Sequence, residues 1–250
     1  GSSAGTSITT GSYNVAMGVD TLSTASTASN NTAIGKGAMG ATTTGANNIA
    51  LGYLSLAANT TGYSNVAIGK DAMLLNTTGV ANTAVGMRAL DANLTSNANT
   101  AIGADALSAN TAANNTAVGS DALTANSTGQ ENTAVGAASL DANTTASYNT
   151  GVGYNVLEAT TTGGSNTAMG RYALAANTTG NNNTAVGMGS LDANTTAAYN
   201  TAVGAQALGL NTTGTQNVAV GALALDANTT GNNNIGIGYH SNSATTTGEN

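Results

Sequence analysis

Polar, small and aliphatic residues follow one another in a short pattern that recurs along the chain. The pattern is an asparagine, a β-branched residue, an alanine or glycine, a large aliphatic residue and a glycine. Its asparagine recurs every 17 residues from Asn14 to Asn234, with one step of 16 between Asn99 and Asn115. A fixed period this short is typical of solenoids, in which each repeat is stable only against its neighbours. We therefore divide the chain into a partial repeat over residues 1–13 and fourteen repeats over residues 14–250, with no separate second domain.

The residues within each repeat favour strands over helices. Counting the asparagine as position 0, Gly occupies +4 in every repeat and +14 in nine of them. Glycine destabilises a helix interior, whereas Thr and Val suit strands. We predict an all-β parallel β-solenoid with one coil per repeat, strands at 0 to +3 and at +6 to +9, and a return turn at Asn-Thr-Thr-Gly. The shorter repeat lacks a residue around Thr111 to Asn114, which we place in a turn because a loss within a strand would reverse its faces.

The large aliphatic residues suggest which face of the strand points inward. We predict that the residues at +3 and the Leu or Met at +8 fill the core. Position +2 then faces outward, and it is Ala or Gly in every repeat. We interpret this restriction as the close approach of sister chains around a common axis. The candidate interface residues are Ala84, Ala101, Ala134, Ala185 and Ala202.

The asparagine at position 0 is present in all fourteen repeats. Stacked Asn side chains can hydrogen-bond along a stack of strands. We predict such a ladder, and a second one from the frequent Asn at +11. The first ladder includes Asn82, Asn99, Asn115 and Asn132.

The pattern resembles the head repeat of trimeric autotransporter adhesins, which reads roughly S-V-A-I-G-x-x-A-x-A-x-G. Residues 65–69 (N-V-A-I-G) and 31–35 (N-T-A-I-G) are close matches. The family repeat is shorter, and the extra residues here lie between +8 and +14. The longer form also resembles repeats of phage tail-fibre-like proteins. The resemblance implies a left-handed β-roll assembled as a homotrimer in an adhesive or receptor-binding fibre.

Composition excludes several kinds of function. The chain has four Lys or Arg, eleven Asp or Glu, one His and no Cys, with a net charge of −7. Thiolate metal sites and cysteine enzymes are excluded, and four cations cannot form a stripe that follows phosphates, so we expect no nucleic-acid partner. The acids at +6 and +9 are interpreted as solvated turn charges. We expect no enzyme activity, no cofactor, no metal site and no membrane insertion in this segment.

We therefore predict a structural or adhesive fibre segment, extracellular, on a bacterial cell surface or a virion fibre. Its partners would be copies of itself and a host-cell surface or glycan receptor. Two alternatives remain open. Repeated Thr at +1 and at +12 and +13 favours an ice-binding solenoid, and strand edges at the ends favour a self-assembling extracellular filament.

Overall fold

The computed structural model describes residues 1–244 and 246–248, and its regular elements are all β-strands. The chain forms two compact units, Gly1–Ser127 and Thr128–Asn250, called unit 1 and unit 2 here. Unit 1 contains the strands Val15–Met17 (β1), Thr32–Ile34 (β2), Ile49–Leu51 (β3), Val66–Ile68 (β4), Thr83–Val85 (β5), Thr100–Ile102 (β6) and Thr116–Val118 (β7). Unit 2 contains Thr133–Val135 (β8), Thr150–Val152 (β9), Thr167–Met169 (β10), Thr184–Val186 (β11), Thr201–Val203 (β12), Val218–Val220 (β13) and Ile235–Ile237 (β14).

Within each unit, every strand pairs in parallel with the next strand along the chain. Equivalent repeat positions lie opposite one another, so Ala84 on β5 faces Ala101 on β6. Backbone bonds join coils on both sides: Thr83 N–H donates to the Asn99 carbonyl, and Gly86 N–H to the Ile68 carbonyl, each at 2.8 Å. The predicted parallel β-solenoid with one coil per repeat is confirmed.

The 16-residue repeat keeps the register of its strands. Thr100 on β6 lies opposite Thr116 on β7, as at every other step of unit 1. The missing residue is absorbed in the turn, where the Asn110 amide donates to the Ala112 carbonyl at 2.7 Å. The expectation that the deletion lies in a turn is confirmed.

The predicted second strand at +6 to +9 is wrong. This segment consists of turns in which +6 and +8 have left-handed backbones, as at Arg88 (φ 55°) and Leu90 (φ 54°). It still bonds to both neighbouring coils, because Arg88 N–H donates to the Lys70 carbonyl and Leu90 N–H to the Ala106 carbonyl, each at 3.0 Å. Hydrogen bonding between coils therefore does not require extended dihedrals.

The predicted facing of the first strand is also wrong. Position +2 points into the coil, while +1 and +3 point out. Ala67 is fully buried at the centre of β4, whereas Ile68 at +3 is 37% exposed. The prediction for +8 is correct, since its Leu or Met residues from Leu22 to Leu225 are fully buried.

A small interior explains why +2 is restricted to Ala or Gly. A Cβ on Gly151, which occupies +2, would lie 3.4 Å from Leu140 Cδ1 at +8 of the preceding coil and 3.4 Å from Val156 Cγ1 at +7. The buried +7 residue is otherwise Ala, Ser or Thr, so Val156 replaces the methyl that Gly151 lacks. Packing within the coil, which tolerates volume-conserving exchanges best, thus limits the size of +2.

Glycine at +4 is required by both its backbone and its neighbours. Gly69 has φ +133°, a conformation that L side chains rarely adopt, and a Cβ there would lie 2.5 Å from the carbonyl oxygen of Gly86 in the next coil. The backbone of the following coil passes where a side chain would be.

We expect Gly69→Ala to lower the free energy of unfolding by about 3–5 kcal/mol, since it combines a forbidden dihedral with a backbone clash. Gly40→Ala is the matched control, because Gly40 has no such dihedral and its added Cβ would lie 3.3 Å from the Gly37 carbonyl. Ala57 already occupies the same +9 position. Urea unfolding measures both variants, and equal losses would contradict the assignment.

Candidate functional site

The five alanines proposed as an interface lie inside the coil. Their exposed fractions are 0% within a single chain, so they offer no surface to a sister chain. An interface at these residues would require +2 to face outward, whereas it points into the coil. The residues concerned are Ala84, Ala101, Ala134, Ala185 and Ala202.

The asparagines at position 0 are buried and linked from coil to coil. Asn99 N–H donates to Asn82 Oδ1 at 2.9 Å, and Asn115 N–H donates to Asn99 Oδ1 at 3.0 Å. In unit 2, Asn149 N–H donates to Asn132 Oδ1 at 3.0 Å. Each of these side chains therefore accepts a bond from the backbone of the following coil.

Most of these asparagines also close their own coil. The Asn48 amide donates to the Gly62 carbonyl at +14 of its own coil, at 2.9 Å. Asn99 opens the 16-residue repeat, and its buried Nδ2 has no hydrogen-bond partner. Because this turn is one residue shorter, the Asn99 amide lacks the +14 carbonyl acceptor that the position-0 asparagines of other coils use.

A second buried ladder runs through +11. The Asn194 amide donates to Asn177 Oδ1 at 3.0 Å and to the Ala197 carbonyl at 3.2 Å. Where Thr stands at +11, the ladder is interrupted, and the hydroxyls of Thr42 and Thr160 are buried without a partner.

The outward face of the strands is apolar and uncharged. It is formed by +1 and +3, which carry no Asp, Glu, Lys or Arg in any repeat. In unit 1 it exposes 40% of Ile102, and in unit 2 it exposes 43% of Met169 and 37% of Val203. Each unit therefore displays a row of large aliphatic side chains, one per coil, flanked by a row that is mostly Thr.

The threonines differ in whether their hydroxyls bond to a neighbouring coil or are exposed on the surface. At +12, the hydroxyl donates to the carbonyl one coil further on, as from Thr178 to Thr195 at 3.0 Å. At +13 the Thr is exposed, as at Thr179. At +1, Thr occupies five successive coils of unit 2: Thr133, Thr150, Thr167, Thr184 and Thr201.

Charged side chains lie at the turns, and some link coils. Arg88 Nε lies 2.8 Å from Asp105 Oδ1, and its Nη2 donates to Asp105 Oδ2 at 2.9 Å. This bond raises the pKa of the Arg88 guanidinium above its ordinary value. Burial raises the pKa of the Asp91 carboxyl, and the nearby Arg88 opposes that rise.

Among the described residues, no group of three or more His, Asp or Glu side chains is arranged to hold a metal ion. The same residues include no helix long and apolar enough to cross a membrane.

Unit 2 contains an aromatic contact that the repeat pattern does not predict. Tyr154 and Tyr172 lie edge to face with ring centroids 5.8 Å apart, and the Arg171 guanidinium lies 4.7 Å from the Tyr172 centroid. A notch of about 270 Å³ begins one coil further on, at Gly189. Positions +6 and +9 vary from repeat to repeat, so the repeat pattern gives no signal for this notch.

Polar groups and missing side chains shape this notch. Its lining residues are Gly189, Asp192, Gln206, Gly209, Leu210, Leu223 and Asp226. Loss of hydration raises the pKa of the Asp192 carboxyl. Asp226 Oδ1 is buried and has no hydrogen-bond partner.

We expect Asn183→Ala to lower the free energy of unfolding by about 1–3 kcal/mol, because it leaves the Asn200 N–H buried and unsatisfied and removes one of the two amide donors to the Ala197 carbonyl, which still accepts from Asn194. Asn181→Ala, the matched control, should cost less than about 1 kcal/mol. Asn181 also accepts a backbone bond, from Gly164 at 2.7 Å, but it is exposed and water can replace it. Urea unfolding of both variants measures the difference, and similar losses would contradict a structural ladder.

We expect Thr160→Asn to raise the free energy of unfolding by about 1 kcal/mol, because the new amide oxygen accepts from Asn177 as Asn177 accepts from Asn194. Thr160→Val is the control and should be nearly neutral, since the hydroxyl it removes has no partner. Thermal and urea midpoints measure both changes. A loss of more than about 1 kcal/mol in Thr160→Val would show that the hydroxyl is bonded.

Comparison with known proteins adds no relative: no family model, no curated protein and no solved structure matches this chain.

Proposed function

We propose that the chain is a structural and adhesive fibre segment, extracellular, on a bacterial surface or a virion fibre. The observation that supports this most is the row of exposed aliphatic residues on the strand face of each unit. Monomeric proteins rarely expose large contiguous apolar patches, and such patches usually mark interaction sites. A coil repeated many times in one direction suits a mechanical role.

Copies of the same chain are the partners that fit this face. Its composition repeats at every coil, so parallel copies in register place aliphatic residues opposite aliphatic residues at each step. It carries no charge that would have to be buried, although the chain as a whole has a net charge of −7. The homotrimer and its left-handed coils follow from the resemblance to autotransporter head repeats. The face replaces the alanines at +2 as the proposed interface.

Ice binding is a second candidate that one observation favours. The face of unit 2 sets Thr at +1 of five successive coils beside an aliphatic residue at +3, in a parallel sheet whose strands are in register. The hydroxyls at +12 do not contribute, because they bond to the neighbouring coil. Both candidates use the same face, so a chain that assembles through it cannot also present it to ice.

We expect the purified chain to have a mass in solution of about three times 24.0 kDa by light scattering. The triple variant Val135→Lys, Met169→Lys, Val203→Lys should reduce it to one chain, because it places charges on the apolar face. The control places Lys at Thr145, Thr179 and Thr213, which are exposed at +13, and should keep the parent mass.

A folded parent that stays at 24.0 kDa at every concentration would contradict the trimer, and thermal hysteresis in that monomer would then support ice binding. Ala185→Leu should unfold the coil rather than dissociate chains, because Ala185 is fully buried within the chain.

A further inference from the structure

We propose that the turn of the 16-residue coil, residues 99–114, opens locally more readily than the other turns of unit 1, while the strand of that coil stays paired. Proteins open in local units, and the cost of each opening depends on the contacts and hydrogen bonds that it breaks. The opening goes beyond the proposed function. Only its mechanical use, the relief of strain in a fibre, rests on that function.

The +11 ladder is broken where it enters this coil. In the two preceding coils, each +11 amide donates to the +11 oxygen before it, as from Asn93 to Asn76 at 2.9 Å. The Asn110 amide donates instead to the Ala112 carbonyl of its own turn, at 2.7 Å. Asn93 Oδ1 is therefore buried without a hydrogen-bond partner. The ladder resumes one coil further on, where the Asn126 amide donates to Asn110 Oδ1 at 2.7 Å.

The bond that closes the coil is lost at the same corner. In the preceding coil, Asn82 at position 0 and Asn93 at +11 both donate to the Ser96 carbonyl, at 2.8 and 3.1 Å. In the 16-residue coil, the equivalent Asn99 Nδ2 is buried without a partner. A buried donor and a buried acceptor are thus unsatisfied in two successive coils. Both favour an open turn, in which water supplies the missing partners.

Another interruption of the +11 ladder in unit 1 leaves its coil closed. Thr42 stands at +11, and its buried hydroxyl has no partner. The Asn31 amide of the same coil still donates to the Gly45 carbonyl at 2.9 Å. The coil of residues 31–47 therefore has an interrupted ladder and an intact closing bond, and it is an internal comparison for the 16-residue coil.

The strand side of the 16-residue coil keeps its bonds to both neighbouring coils. Thr100 N–H donates to the Asn115 carbonyl of the following coil at 2.9 Å, and Gly103 N–H donates to the Val85 carbonyl of the preceding coil at 2.8 Å. Opening is therefore confined to the turn, residues 110–114, and does not require unit 1 to unfold.

Hydrogen exchange of the full chain, followed by mass spectrometry of overlapping peptic peptides, measures the opening. We expect protection factors about tenfold lower in residues 110–115 than in residues 76–82, the equivalent turn of a 17-residue coil. Residues 42–48, where only the ladder is interrupted, should lie between the two. Equal protection of the three turns would overturn the proposal, and this comparison needs no variant.

A repaired coil links the faster exchange to the missing residue. Glycine inserted between Ala112 and Ala113 gives the turn Thr-Ala-Gly-Ala-Asn-Asn, which closely matches residues 43–48 (Thr-Thr-Gly-Ala-Asn-Asn). The new +14 carbonyl can accept from Asn99, so the protection of this turn should rise about tenfold. A folded insertion variant whose turn exchanges as fast as the parent's would overturn the assigned cause.

The control makes the same insertion in a coil of normal length. Glycine between Gly45 and Ala46 lengthens that coil to 18 residues and should lower the protection of its turn. Light scattering on the same samples reports assembly separately. A monomer whose 16-residue coil exchanges fastest would contradict the trimer and leave this inference standing, whereas a trimer with equal protection at every turn would do the reverse.

Discussion

Each coil depends on buried asparagine amides that bond to backbone groups its short strand and turns cannot satisfy. The strand has three residues, so most of the coil must find partners elsewhere. At Asn183, the amide donates to the Ala197 carbonyl within the coil, and the side-chain oxygen accepts the N–H of Asn200 in the next. A buried backbone group without a partner costs about 1–3 kcal/mol, which explains why no other residue stands at position 0. Asparagine alone combines a donor and an acceptor of this reach without charge.

The asparagine ladders and the small interior constrain each other. The side chains at 0 and +11 occupy much of the coil, so the apolar core lies mainly at +2, +7 and +8, with a buried alanine at +14 in some coils. Leucine at +8 adopts a left-handed backbone, as at Leu174 (φ 52°), a conformation that costs about 1–2 kcal/mol for a residue with a side chain. Full burial of that side chain and the bond from Leu174 N–H to the Ser190 carbonyl at 3.0 Å offset this cost. The repeat is therefore a compromise between hydrogen bonding and packing, which explains why it varies so little.

The period, the parallel strands, the turn that absorbs the deletion and the asparagine ladder were predictable from the sequence, because each follows from spacing or from one residue type held at one position. Which face of the strand points into the coil was not predictable. A large aliphatic residue at +3 is ordinarily read as core, but the coil is too narrow to hold it beside Leu at +8, and only Ala or Gly fits at +2. The strand predicted at +6 to +9 was also wrong. A leucine with a left-handed backbone is unfavourable in isolation, and it occurs here because that backbone lets neighbouring coils stack. The notch at Gly189 was not predictable either, because the residues at +6 and +9 vary from repeat to repeat and no spacing marks them.

The inverted strand face changes the argument for function as well as for fold. With +2 inside, its restriction to Ala or Gly carries no information about partners and is explained by packing within one chain. The information about partners lies in +1 and +3, where nothing inside the coil requires Val, Ile or Met, yet polar residues beyond Thr do not occur. A +3 position that is exposed or half-buried in the coils and stays aliphatic through fourteen repeats, in a chain with a net charge of −7, is the observation that supports the proposed assembly through this face.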